Sequence, residues 1–410
     1  MSKASEWGGK HRQMRAKTGA VVIGAALLLL ACGGNSSSPP TTTNSGNPFR
    51  ILMIVNLTGV SSYYGQSSVQ AFRAAAKVLN SSGGMLNRPI KIDYVDSQGD
   101  PTKSVSLLTE RLNSGTKYDL CECGTFSAET LALLPPATKV KLLSTESGSP
   151  AAGDDPATYP YNFGPQPSLK YQVQPIVSYV QKSGYKKVGV LASTDLAGQT
   201  QMSLYQQQFA AIGIEMIPQQ YNSTRLDFTA ELQTLQAKNP DVVILFSFGA
   251  ATGIILKNRA KLGWTTPLIA DRTSVGQDLT TLLSKDQLTN VSEQHVAVDV
   301  PTDALRKNPR WQTMYAAVQA EGPLVQPLSG YSAMYDALLY FATAVQQAGS
   351  TDPDKVRQAL ENMKTPNPVP WVTWPHGIGY SSKEHFVVTT NEDFAITALT
   401  HLVNGLDVPA

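Results

Sequence analysis

The sequence predicts two α/β lobes, each a largely parallel sheet with helices on both faces. Three observations carry this. From Arg50 onward, short apolar runs of strand length alternate with amphipathic stretches of helix length. The alternation completes one series and starts again near Ser168. Several strand ends are small or polar, as expected where a ligand sits beyond the carboxyl ends of parallel strands.

The first series opens with "RILMIVN" (50–56), a continuous apolar run that reads as a buried strand. A helix follows over 65–84, with Val69, Phe72, Ala76 and Leu79 on one stripe and a Gly-rich stop. "RPIKIDYVDS" (88–97) is a strand. Residues 100–115 are a helix with Asp100 as N-cap and Pro101 in its first turn. "KYDLCEC" (117–123) is a strand, "SAETLALLPPATK" a helix broken by two prolines, and "VKLLST" (140–145) a strand. The second series has strands at 186–193, "IEMIPQQ", 240–248 and 266–271, each preceded by a helix. Further helices are predicted at roughly 306–321, 329–348 and 353–363.

The chain begins with an address. Lys3, Lys10, Arg12, Arg15 and Lys17 precede an apolar run of 13 residues at 19–31, which suits a signal peptide better than a membrane-spanning helix. That run ends "LLAC" at Cys32 and is followed by an uncharged Gly/Ser/Thr/Pro/Asn-rich tail that reads as a tether. "LLAC" resembles the bacterial lipobox, which implies lipidation at Cys32. Residues 1–31 carry five of the 33 basic and one of the 31 acidic residues, so 28 and 30 remain. That balance leaves no basic footprint for nucleic acid.

Cys121 and Cys123 are the other cysteines. Two apart on a strand, they face one side and read as small buried free thiols, ahead of a bridge or a metal site. The five histidines (11, 295, 376, 385, 401) show no metal spacing. No nucleophile elbow or Walker A loop is present, so no enzyme, metal or cofactor is expected.

Six strand ends carry the candidate site: "NLTG" (56–59), "GTFS" (124–127), "STESGS" (144–149), "STDLAG" (193–198), "SFGAA" (247–251) and "ADRTS" (270–274). Any one could be a helix cap; six on two lobes point to a shared cleft. A helix N-terminus offers unpaired N–H groups and partial positive charge, so the turn at 124–127 is a setting that suits a ligand oxygen. Ser127 reads as the N-cap of a helix starting at 128, while also standing among the candidate ligand contacts.

The chain from about 49 to 400 resembles the type I extracytoplasmic solute-binding proteins of ABC transporters, in particular the branched-chain amino-acid group. "LTGVSSYYGQ" (57–66), "DSQGDPTKSV" (96–105) and "GTKYDLCECGTFSAET" (115–130) carry the likeness. So do the segments at 238–263 and 331–360. The resemblance implies two Rossmann-like lobes joined by three crossing segments, with the ligand in the cleft between them. It implies a signal peptide (1–31) and a lipid-anchored tether (32–48). An N-terminal lobe would hold 49–168 plus 299–376, and a C-terminal lobe 169–298 plus 377–410. It further implies a monomeric extracytoplasmic receptor that delivers a small polar solute to an ABC permease by hinge closure. The alternative is a ligand sensor on the same fold.

In that family the position of Thr125 bonds the ligand carboxylate. Relatives place an ammonium-binding acid where this chain has Asp271 and then Arg272. A family aromatic becomes Ala197, and the loop that offers small residues and a threonine reads Glu146, Ser147, Gly148. Tyr64 and Phe248 match rings that line the cleft. With Glu146 and Arg272 present, the ligand could be a zwitterion with its charges exchanged between lobes, an anion, or a polar neutral amide.

Overall fold

A computed structural model describes residues 47–59, 61–147, 154–363, 372–377 and 379–410. The expectations for residues 1–32, including the lipid site at Cys32, and for Gly148 lie outside the described residues.

The first series is β1 (Phe49–Val55), α1 (Tyr63–Ser81), β2 (Ile90–Asp96), α2 (Pro101–Asn113), β3 (Leu120–Cys123), α3 (Ser127–Lys139) and β4 (Leu143–Thr145). Its strands form a parallel sheet in the order β2-β1-β3-β4. The apolar run of β1 is continuous because both faces are covered. Ile51, Met53 and Val55 join the core with Phe72 of α1. Leu52 and Ile54 point the other way, to Leu108 of α2 and Leu133 of α3.

After β5 (Gly164–Pro167) comes the second series. It contains α4 (Leu169–Lys182), β6 (Lys187–Ser193), α5 (Leu196–Ala211), β7 (Glu215–Tyr221), α6 (Thr229–Ala237) and β8 (Val242–Phe246). It continues with α7 (Ala250–Lys261), β9 (Leu268–Ala270), α8 (Leu279–Leu282) and β10 (Val291–Val296). Then follow α9 (Asp303–Arg306), α10 (Pro309–Gln319), α11 (Ser329–Ala348), α12 (Pro353–Glu361) and β11 (Phe386–Val387). The chain ends with β12 (Phe394–Thr397), β13 (Thr400–Val403) and β14 (Leu406–Pro409). The second sheet runs β12-β10-β9-β8-β6-β7, parallel except for β12 at its edge. Its two faces hold separate cores, one around Val190 and Tyr205, the other around Leu245 and Leu256.

The helices after β10 return to the first sheet. Tyr331, Leu338 and Phe341 of α11 share a core with Phe72 and Met53. The chain therefore passes between the sheets at β5, just after β10, and again between α12 and β12. The hairpin β13–β14 closes on the second of these passages, where Asp407 N–H donates to Asp299 O at 2.8 Å.

Two sequence readings are corrected here. Pro135 and Pro136 do not break α3, which runs unbroken to Lys139. The prolines forgo two backbone bonds near the helix end, and burial of Leu133 and Leu134, worth about 2 kcal/mol each, offsets them. Cys121 and Cys123 are joined by a disulfide rather than free. Their shared face and Cα separation of 5.4 Å put the two sulfurs within reach.

Candidate ligand cleft

A cavity of about 480 Å³ lies between the carboxyl ends of the two sheets, a size suited to a small molecule. Tyr64, Thr125, Ser127, Ser147, Ala197, Phe248 and Arg272 all line it. Their separation in sequence disappears because every one stands at a strand end or the helix turn after it.

On the first lobe, Gly124 ends β3 with φ +100°, and a Cβ there would meet Thr130 N at 2.8 Å. Only glycine makes this turn. It brings Thr125 to the start of α3. Ser127 is the first residue of that helix and not its N-cap, which is Phe126 in extended conformation. Glu129 reaches back from the first turn and accepts the Thr125 N–H at 2.8 Å. Glu129 is fully buried and also accepts from Ser104 Oγ at 2.7 Å. The protein's own carboxylate thus sits at the positive end of α3. Thr125 is 1% exposed, and its Oγ1 accepts from Asn56 N–H at 3.2 Å, leaving the hydroxyl hydrogen free to donate.

Glu146 is buried and is not part of the cavity wall. Burial pushes its pKa well up, opposed by the Asn162 side chain. Behind the same wall Glu122 is fully buried, and burial raises its carboxyl to about 8. The first-lobe end of the cleft is therefore backed by carboxyl groups.

The second lobe supplies the opposite pole. Arg272 keeps part of its surface open to the cavity, yet burial pulls its pKa below the ordinary arginine range, against Asp299, Asp271 and Tyr64. Its Nη1 donates to Gln166 Oε1 at 3.1 Å and Gln172 Oε1 at 3.3 Å. The guanidinium lies 5.8 Å from the centre of the Trp374 ring. Among the described residues it has no ion pair. Asp271 is buried beneath the wall, bonded to Ser274 N at 2.9 Å, Ser274 Oγ at 2.8 Å and Gln201 Nε2 at 3.2 Å. Burial raises it to about 6. Asp299 lines the cavity but accepts from Ser329 N at 2.6 Å and Ser329 Oγ at 2.8 Å. Burial and then Asp407 raise it to about 7.

Aromatic and aliphatic groups fill the space between the poles. Tyr64, Phe126, Phe246 and Phe248 line the cavity with Leu169 and Val275. The Tyr64 ring lies 4.3 Å from that of Tyr63, tilted by 39°, and meets Phe126 edge-on at 6.4 Å. The lobes touch. A Cβ on Gly249 would lie 3.0 Å from Ser61 Oγ, so the starts of α1 and α7 face each other at close range.

Sequence reasoning missed Gln166, Gln172, Gln294 and Asp299. The glutamines carry no local signal, since helices and strand edges accept them anywhere. Only the passages between sheets bring them beside Arg272. No group of three or more His, Cys, Asp or Glu side chains among the described residues is placed to hold a metal.

The chain matches the family described as periplasmic binding protein over residues 48–390. No curated protein matches it. Among solved structures it is similar to an ABC-transporter solute-binding protein from R. palustris in complex with 4-hydroxybenzoate. The identity is 17% and the TM-score 0.72, over 89% of this chain and 96% of that one. A solute-binding protein from Rhodopseudomonas palustris BisB5 in complex with 3,4-dihydroxybenzoic acid gives 20% and 0.71, over 88% and 96%. The leucine-binding protein LivK from Thermotoga maritima gives 16% and 0.69, over 88% and 97%. At these identities the likeness is one of fold.

Proposed function

This chain belongs to the periplasmic binding protein family, and we propose that it captures a small carboxylate with an apolar or aromatic body and delivers it to an ABC importer. A solute-binding role outside the cytoplasm follows from the family. One observation supports the ligand class. Arg272 is held by two neutral amides and a ring, with no ion pair among the described residues. A deeply set cation without a paired anion is costly, and a ligand carboxylate removes that cost. The rings of Tyr64, Phe126 and Phe248 suit the ligand's body. Thr125, Ser127 and Ser147 suit a hydroxyl or other polar group at its far end. Two similar proteins hold hydroxylated benzoates, which have this shape.

An ammonium finds less support. Arg272 stands where an acid was expected, and the oxygens of Asp271 are bonded to protein groups. The lobes close about the passages near 168, 299 and 376. Cys32 carries the lipid, and the receptor acts as a monomer. Titration calorimetry with 4-hydroxybenzoate, 3,4-dihydroxybenzoate and leucine tests the reading. Arg272→Glu is expected to abolish acid binding; a variant that binds the acids as wild type does would overturn it. Replacing Cys32 with Ala should move the protein to the soluble fraction.

A further inference from the structure

We propose that Gln166 and Gln172, rather than Arg272 alone, set the charge preference of this cleft; the inference rests on the carboxylate reading above. The two side chains are 6% and 5% exposed, and each aims a neutral oxygen at Nη1 of the guanidinium. Their arrangement is fixed by further bonds. Gln172 Nε2 donates to Pro167 O at 2.7 Å, which turns its oxygen toward Arg272. Gln294 accepts the Arg272 backbone N–H at 3.2 Å and donates to Gln172 O at 3.0 Å.

This amide frame positions the guanidinium without neutralising it. Arginine presents five donors, and the frame occupies those of Nη1 while supplying no negative charge. Asp271 and Asp299 act on Arg272 only from beyond ion-pair distance, and their oxygens are bonded to Ser274, Gln201 and Ser329. The missing charge is left for the ligand. Exchanging one amide for a carboxylate of the same shape would supply it internally, and the cleft would then favour a neutral ligand. Gln166 and Gln172 are in this sense specificity-determining residues, placed by β5 and α4.

The test uses wild type, Gln166→Glu and Gln172→Glu, titrated with 4-hydroxybenzoate and 3,4-dihydroxybenzoate and with their neutral primary amides. Wild type should prefer the acids. Each Glu variant should lose acid affinity on the order of 100-fold and keep the amides. Melting temperatures supply a readout that needs no ligand. Gln166→Glu should raise Tm when Arg272 is present and lower it in an Arg272→Gln background. Unchanged acid binding, or a fall in Tm in both backgrounds, overturns the proposal. Wild type preferring the amides would sink the carboxylate reading instead, while the melting cycle still judges the glutamines.

Discussion

Tyr64 of the first lobe meets Gly276 of the second so closely that a Cβ on Gly276 would stand 2.7 Å from the Tyr64 hydroxyl oxygen. The ring cannot swing aside easily, because the tilted ring of Tyr63 and the perpendicular ring of Phe126 pack against it. The contact joins α1 to the turn after β9, one residue from each lobe.

Gly276→Ala is therefore expected to hold the lobes apart. Gly276 does not occupy the left-handed region, so alanine adds a steric clash across the cleft and no backbone strain. Affinity should fall about tenfold or more, a loss of at least ~1.4 kcal/mol. Small-angle scattering at saturating ligand should show a larger radius of gyration than wild type. A fully compact variant with native affinity would count against the closing contact.

Thr125→Val should do two things. It removes the acceptor of the Asn56 N–H, which should cost about 1–3 kcal/mol of stability. It also removes the hydroxyl donor at the cavity wall, with a loss of affinity of similar size. Thr125→Ser should restore both. Lowered stability with unchanged affinity would make Thr125 purely structural.

Glu122 should make stability fall as pH rises. Burial raises its pKa from 4.5 to about 8, opposed by Ser68 and Ser147 and aided by Glu129. The folded state therefore keeps a proton that the unfolded chain has already released. Between about pH 4.5 and 8 this costs up to about 1.4 kcal/mol per pH unit. Glu122→Gln still accepts from Ser68 Oγ and cannot ionise. Urea titrations should show it matching wild type near pH 4.5 and exceeding it at pH 8. Parallel pH curves for the two proteins would falsify the assignment.

The Cys121–Cys123 disulfide should be visible by thiol counting. Both residues are 0% exposed, so a maleimide should label neither in the native protein. After unfolding without reductant they should still be unlabelled, and reduction should add two labels. Labelling on unfolding alone would restore the reading of free thiols.

The sequence by itself determined the parallel sheets and the cleft at their carboxyl ends. The apolar run of β1 and the polar strand ends at 124–127 and 270–274 are local patterns, and strand and helix periodicity follow from chain geometry alone. Arg272 was legible too, because it departs from a pattern at a strand end. What surrounds it was not. Gln166 and Gln172 lie 106 and 100 residues away and reach it only through the fold of β5 and α4. Glu129 takes the start of α3, where the sequence suggested a ligand's charge, since a side chain four residues on can turn back to Thr125 N–H. Which groups neutralise a buried charge depends on distances of a few ångströms between segments remote in sequence. Coulomb and hydrogen-bond energies are decided at that scale, and only the tertiary structure fixes it.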